Sequence, residues 1–349
     1  MKRKIRVGIL FGGKSAEHEV SIMSARNVAA ALDTSIYEPV LIGINKHGLW
    51  LPPATLKAFL SSGRALKTTA LIPKKYSYPS ELQKTVDVVF PILHGPYGED
   101  GTVQGFLKLA NVPFVGAGVL GSAVGMDKDV MKRLLRDARV PVAKDIVVHS
   151  GEKISFKKPV NELRLPFFIK PANMGSSIGT SKVRNEKEFK DALREAFRFD
   201  TKILIEEFIK GRQIECAVLG NEKPIVSVLG EIVVHHDFYS YEAKYLDPNG
   251  ASLKIPAKLP KNVARKIQEL AIQTFKTLCC EGMGRVDFFV TYSGHIYVNE
   301  INTIPGFTNI SMYPKLWEAS SISYSKLLDK LIGLAIERFK KQQKLRTSI

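Results

Sequence analysis

Apolar positions along the chain follow two periods, and the switches between them outline the fold. Residues 5–11 form a continuous apolar run that reads as a strand. Gly12-Gly13-Lys14-Ser15 breaks it, and residues 16–32 then repeat apolar positions at helical spacing, with Ser15 as the expected N-cap. Residues 37–44 and 86–93 read as further strands, 102–110 as a helix and 112–115 as a short strand. Alternation of this kind predicts parallel strands and a first domain ending near residue 120. Residues 50–84, broken by Pro52-Pro53, Ser61-Ser62-Gly63 and Pro79-Ser80, read as an irregular insertion, and 116–125 is rich in small residues.

Further along, residues 127–140 have the period of a helix bearing Lys128, and 166–170 that of a strand ending at Lys170. A helix over 185–197 and strands over 203–205, 213–219 and 225–232 follow. Residues 235–253 are long, polar and aromatic, which is the composition of a lid. A helix over 260–280 leads into strands over 286–292 and 296–301, joined by Ser293-Gly294. A last amphipathic helix begins near Ser323. No internal repeat is visible.

The chain has 349 residues, 45% apolar and 24% charged, which is ordinary for a soluble globular protein of two or three domains. No apolar run approaches a membrane span of roughly 18 residues. The basic start loosely mimics a signal peptide, but its apolar run is short and meets Gly12-Gly13 instead of a cleavage site. The three cysteines, Cys216, Cys279 and Cys280, make neither a disulfide framework nor zinc-ligand spacing, and fit a reducing cytoplasm. The net charge of +17 raises the question of nucleic acid. The basic residues are dispersed and no DNA- or RNA-binding motif accompanies them, so anionic small substrates are the better reading.

Candidate chemistry concentrates in four places. In the 286–301 hairpin, side chains alternate faces. Asp287, Glu300 and Asn302 form an all-oxygen cluster if the two polar faces coincide, which would suit Mg²⁺, with Arg285 beside it for an oxyanion. The alternative is a solvated polar face. Lys170 stands at the root of the small-residue loop 171–179, a phosphate cradle or else a flexible turn. Because it follows Phe167-Phe168-Ile169 it should be partly buried, and a buried charge needs a partner. Glu17 opens a helix at a strand's carboxyl end, where ligands gather in open α/β sheets. The polar, glycine-rich segment 94–101 lies at another strand's end. Finally, Gly8 to Ser15 matches a P-loop letter for letter. Its variable positions include Ile9, Leu10 and Phe11, however, so the would-be loop is the strand itself.

Together these pieces resemble the D-alanine–D-alanine ligases of the ATP-grasp superfamily. Six motifs carry the resemblance: Gly-Gly-x-Ser-Ala-Glu17-x-Glu-Val-Ser, His94-Gly-x-x-Gly-Glu99-Asp-Gly, Lys170-Pro…Gly-Ser176-Ser-x-Gly, Tyr-Glu-Ala-Lys244-Tyr245, Gly284-Arg285-x-Asp287 and Glu300-x-Asn302-Thr-x-Pro-Gly306. The resemblance implies a mixed α/β ATP-grasp fold of three domains. These are a Rossmann-like parallel sheet over 1–120, a central subdomain over 121–210 and a C-terminal one over 211–349 with a lid at 235–254. It implies a cytoplasmic, homodimeric enzyme that binds neither nucleic acid nor membrane and makes D-alanyl-D-alanine for peptidoglycan, using ATP with Mg²⁺ or Mn²⁺.

By the same resemblance, Lys128 and Lys170 hold ATP phosphates and the loop of Gly175, Ser176 and Ser177 covers them. Glu206, Glu207, Phe208 and Ile209 flank adenine, Glu215 binds ribose, and Lys244 reaches the γ-phosphate. Asp287, Glu300 and Asn302 hold the metal. Glu17 binds the first D-alanine and is linked through Ser176 to Tyr245. His94 and Glu99 line the substrate site. Arg285 and the Gly306 N–H face the reacting carboxylate, and Ser311 and Met312 hold the second D-alanine. Relatives that make D-alanyl-D-lactate lack the lid tyrosine, so Tyr245 implies the dipeptide product. His18 and Met312 depart from the common Arg and Leu, and Met312 leaves acceptor selectivity open, with D-lactate or D-serine as alternatives. A P-loop NTPase built on Gly8 to Ser15 is the competing class. It requires Lys14→Ala to abolish nucleotide binding and Lys170→Ala to spare it. The expected result, read by equilibrium nucleotide binding, is the reverse.

Overall fold

The computed structural model describes residues 3–51, 80–234 and 250–346. Strand β1 (Ile5–Gly12) lies between β2 (Tyr37–Ile44) and β3 (Val88–Ile92) in a parallel three-stranded sheet. Its odd positions, Val7, Ile9 and Phe11, pack with Ile22, Ala25 and Val28 of the helix His18–Ala31. Leu10 points the other way, into a cluster with Val89 and with Leu107 of the helix Thr102–Leu109. Both faces are covered, which is why the run is apolar throughout instead of alternating. The 112–115 segment makes only one parallel bridge, Val89 to Phe114, beside β3. Pro113 within it has no N–H to extend a ladder.

A four-stranded antiparallel sheet follows, formed by β4 (Asp145–His149), β5 (Phe167–Pro171), β6 (Ser181–Val183) and β7 (Lys202–Glu207) in the order β4-β7-β5-β6. The helix Glu186–Ala196 covers one face through Phe189, Ala192 and Ala196, and Asn185 caps it by accepting from the Glu188 N–H at 2.9 Å. A five-stranded antiparallel sheet completes the core. It contains β8 (Gly211–Gly220), β9 (Ile225–Val234), β10 (Ala251–Lys254), β11 (Gly282–Thr291) and β12 (Ile296–Asn302), in the order β10-β9-β8-β11-β12. Phe275, Leu270 and Ala271 of the helix Lys261–Thr277 pack on one side of it. Among the described residues no helix is long and apolar enough to cross a membrane.

Several elements escape the periodicity. The small-residue stretch is a helix, Val119–Met126, pressed so close to the chain behind it that a Cβ on Gly121 would lie 2.5 Å from the Cys279 carbonyl oxygen. Small residues are there for contact, not for flexibility. Strand β4 and the helices Lys157–Leu163 and Met312–Ala319 are likewise unexpected, and the last residues of the expected lid, Ala251–Lys254, are strand β10, paired with β9. Of the 50–84 segment only the short helix Ser80–Thr85 and residues 50 and 51 are described.

An aromatic cluster joins the first sheet to the third. Phe90 on β3 meets Phe307 edge-on at 5.4 Å, and Phe307 packs on Tyr313, whose hydroxyl donates to the Val218 carbonyl at 3.0 Å. Trp317, 1% exposed, closes the cluster. The last helix, Tyr324–Gln342, adds Arg338, which donates to the Phe114 carbonyl at 2.8 Å. The segment between β12 and Met312 is therefore clamped from both sides. Removing the Trp317 ring leaves a large cavity; Trp317→Ala is expected to lower stability by about 3–5 kcal/mol, read from denaturant unfolding.

Candidate active site

The site is one cavity of about 550 Å³ where the three sheets converge. Its floor is the β11–β12 hairpin. Asp287 pairs directly with Glu300, and Arg285 with Asn302, so the two polar faces coincide as the alternation required. The Arg285 guanidinium donates through Nε and Nη2 to both oxygens of Asp287, each at 2.8 Å, and Nε lies 2.8 Å from Glu215 Oε2. Asn302 Nδ2 donates to Asp287 Oδ2 at 2.9 Å. Burial opposes the Arg285 charge, but Asp287 and Glu215 outweigh it and hold its pKa well above the ordinary value. Among the described residues Nη1 makes no hydrogen bond. After Asp287 the register shifts, so that Phe288 faces Val298. This bulge makes both Asn299 and Glu300 line the cavity, instead of alternating in and out.

The second wall carries lysines. Lys128 begins the helix Lys128–Asp137, capped by Asp127. Its ammonium donates to the Met174 carbonyl at 2.7 Å and lies 3.4 Å from Glu300 Oε2. Lys170, 8% exposed, donates to Glu206 Oε1 at 2.8 Å. The partner its burial demanded is thus Glu206. Lys132 holds that carboxylate's other oxygen. Burial would raise the Glu206 pKa, but the two ammonium groups outweigh it and keep the acid ionised, with a pKa pushed down to about 2. The only local sign of Lys132 in the sequence is a lysine one helical turn after Lys128. Glu207, Phe208 and Ile209 line the same end, where the Phe208 ring lies between Phe168 at 5.9 Å and the Lys182 ammonium at 4.8 Å.

The third wall is the start of the first sheet's helix. Ser15 is not its N-cap; the helix begins at His18, with Glu17 in the cap position and no side-chain cap bond. The Ser15 hydroxyl accepts from the Glu17 N–H at 3.1 Å, a turn one step earlier. That turn frees the Glu17 carboxylate to face the cavity, where it accepts from the Ser176 hydroxyl. The loop comes close because Gly175 and Gly95 lack side chains: a Cβ on either would sit 3.1 Å from Glu17 Oε2. Ser176 and Ser177 both take left-handed backbone angles, φ 51° and 59°.

Behind Glu17 lie His94 and Glu99. A carbonyl oxygen can only accept, so His94 Nδ1 carries the proton it shares with Ile304 O at 3.0 Å. Burial lowers the His94 pKa, which leaves Nε2 unprotonated; it is buried without a hydrogen-bond partner among the described residues. Glu99 accepts from the Gly95 N–H at 2.8 Å and the Ile304 N–H at 3.1 Å. Burial first, then the Glu17 charge, raises its pKa to about 8. Gly306 and Ser311 close the cavity; a Cβ on Gly306 would fall 2.8 Å from Ser311 Oγ, which accepts from the Thr308 N–H at 2.9 Å. Met312 starts its helix with its sulfur against Gly230.

Two expected placements need comment. Glu215, which the resemblance assigned to ribose, lies with its carboxylate on Arg285 as a second counter-ion. Lys244 and Tyr245 fall outside the described residues. The P-loop reading fails outright. Gly8 to Gly12 are ladder residues of β1, paired with Val40 to Ile44, and Lys14 is exposed.

A cavity between two antiparallel sheets, with Lys170 on one, Lys128 on a helix beside it and a carboxylate–amide face on the other sheet, is the arrangement of an ATP-grasp enzyme. Family models described as the D-ala D-ala ligase N-terminus and C-terminus match residues 6–117 and 134–333. The D-alanine–D-alanine ligase of Oceanobacillus iheyensis is 53% identical over 364 aligned positions, covering 100% of this chain and 99% of the relative. The structure of the D-alanine–D-alanine ligase from Coxiella burnetii superposes with a TM-score of 0.83 at 39% identity, covering 98% of this chain and 96% of that one. The VanG D-Ala:D-Ser ligase from Enterococcus faecalis superposes with a TM-score of 0.82 at 37% identity, covering 95% and 100%. This chain belongs to the D-alanine–D-alanine ligase family and is an enzyme of that type.

Glu99 supplies a test of the electrostatics. Its folded pKa lies above its ordinary value of 4.5, so the native state binds the extra proton between pH 4.5 and about 8. Stability from this group is full below that window and is lost as pH rises through it. Glu99→Gln stays neutral, and its Tm is expected to fall less than the wild type's between pH 6 and 9, by roughly a few degrees on thermal scans.

Proposed function

We propose that this ligase activates one D-alanine with ATP and couples it to a second, giving D-alanyl-D-alanine for peptidoglycan precursor through a D-alanyl phosphate. The observation that carries this reading is the single cavity shared by two charge sets. Lys128 and Lys170 form a cationic wall suited to a triphosphate. Glu17 and Arg285, on the other walls, offer opposite charges suited to the ammonium and carboxylate of an amino acid.

The Asp287, Glu300 and Asn302 oxygens form a hard donor set, too few to enclose a cation fully, which fits Mg²⁺ or Mn²⁺ that keeps water and phosphate oxygens. Such an ion, when bound, neutralises charge on the transferring phosphoryl group. This chain's own residues do the rest. Lys128 and Lys170 hold the phosphates, with Gly175, Ser176 and Ser177 over them. Glu206 to Ile209 border the adenine, and Glu17 takes the first D-alanine's ammonium. The D-alanine carboxylate attacks the γ-phosphorus and ADP leaves. The second D-alanine's amine then attacks the acyl carbon, loses a proton, and phosphate departs. Arg285 Nη1 and the Gly306 N–H face the oxyanion of that second step; one such donor is worth about 3 kcal/mol. Ser311 and Met312 border the acceptor. A homodimer in the cytoplasm belongs to the same reading.

The test is phosphate release from MgATP with D-alanine, L-alanine, or D-alanine plus D-serine or D-lactate, with products weighed by mass spectrometry. Release that depends on D-alanine, with the dipeptide as main product, is expected. A mixed product from D-serine would move the chain toward the acceptor named for the Enterococcus relative. Glu300→Ala is expected to reduce turnover by at least about 10³-fold, as for loss of a transition-state charge partner; near-normal turnover would sink the metal assignment.

A further inference from the structure

Behind the cavity wall runs a line of alternating charges. Half-exposed Arg136 binds Asp145, and Asp145 Oδ1 lies 3.3 Å from Lys132 Nζ. Lys132 has 0% side-chain exposure; it donates to the Ala143 carbonyl at 3.1 Å and to Glu206 Oε2. Glu206 Oε1 accepts from Lys170 at 2.8 Å, and Lys170 reaches Asn299 Oδ1 at 3.5 Å. Lys132 stands behind Glu206 and does not line the cavity.

Burying an ammonium completely costs several kcal/mol unless its partners repay it. Its neighbours Met131 and Leu135 on the same helix are core residues, so an apolar side chain would suit the position. Something must therefore need the charge. With Glu206 as its sole close counter-ion, Lys170 would be nearly neutralised and would attract a polyanion weakly. Lys132 takes half of the Glu206 carboxylate, so the Lys132–Glu206–Lys170 triad carries a net charge of +1. In a poorly screened interior that charge is felt at the cavity wall.

We propose that Lys132 is a positioning residue for the nucleotide. It orients Glu206 and balances its charge, so that Lys170 stays aimed at the phosphates with its attraction intact. The inference rests on the assignment of Lys170 to ATP. It assigns Lys132 no contact with substrate.

The groups facing Lys132 are Glu206 on β7, Lys170 on β5, Asp145 on β4 and Arg136 on its own helix. Burial lowers the Lys132 pKa to about 8 against the pull of Glu206. Below that pH the triad is cationic, and above it the triad is neutral. The sign follows: nucleotide affinity should fall as pH rises through about 8.

The experiment is calorimetric titration of the full chain with the magnesium complex of a non-hydrolysable ATP analogue, together with steady-state kinetics, from pH 6.5 to 9.5. In Lys132→Met, analogue affinity is expected to drop about tenfold, the order for one partly screened charge. KM for ATP should rise in step, while KM for D-alanine stays within about twofold. Lys132→Arg, which keeps the charge and does not titrate, should restore most of the affinity and flatten the alkaline fall relative to the wild type. Unchanged affinity in Lys132→Met, or an alkaline fall as steep in Lys132→Arg as in the wild type, overturns the inference while leaving the ligase reading in place. If Lys132→Met does not fold, the arginine variant's pH profile decides alone. No analogue binding by the wild type removes the nucleotide assignment and this inference with it.

Discussion

Arg285 is the side chain on which the site's other charges depend. Its guanidinium lies between Asp287 and Glu215, on adjacent strands of one sheet, and it is largely removed from water. A carboxylate buried without a partner would protonate or swing away. The geometry of Asp287 is set from two sides, by the guanidinium and by the Asn302 amide. In the proposed function the same guanidinium also serves the substrate. The forked shape of arginine allows this, because two nitrogens can hold Asp287 while the third points elsewhere.

The small-residue loop after Lys170 is tied at two points that belong to different parts of the fold. Lys128, at the start of the helix Lys128–Asp137, holds Met174. Glu17, from the first sheet, holds Ser176. The loop's place thus depends on groups that the proposed function gives to the nucleotide and to the first amino acid. A ligand that engages Lys128 or Glu17 shares that group with the loop. Occupancy of either subsite is therefore coupled to where the loop sits, through named atoms and not through a diffuse pathway.

Legibility followed local constraint. Asp287, Glu300 and Asn302 could be placed on one face because strand alternation and a Ser-Gly turn leave little freedom. The false P-loop could be refused because Ile9, Leu10 and Phe11 had to be inside. Lys170 could be expected to have a partner because apolar residues precede it. Lys132 could not be read this way, since a lysine in an amphipathic helix usually faces water; only the arrival of Glu206, 74 residues later, makes it internal. Asn299 was passed over because the alternation that placed Glu300 points its neighbour outward, and only the β11–β12 bulge brings both to the cavity. Ser15 was assigned a cap that the Glu17–Ser176 contact displaced.

By itself, then, the chain determined most of its strands and its long helices, the family to which it belongs, and the residues that carry charge into the cavity. These follow from periods of two and 3.6 and from short motifs, in which each residue is constrained by close neighbours. Tertiary structure decided which charges meet. It paired Lys170 with Glu206 and Lys132, set Glu215 on Arg285, and turned Glu17 away from its own helix. It also made a helix of the small residues at Val119–Met126 by pressing them against Cys279. Electrostatic partners and close backbone approaches act through space at a few ångströms, between residues far apart in the chain, and no local pattern records them.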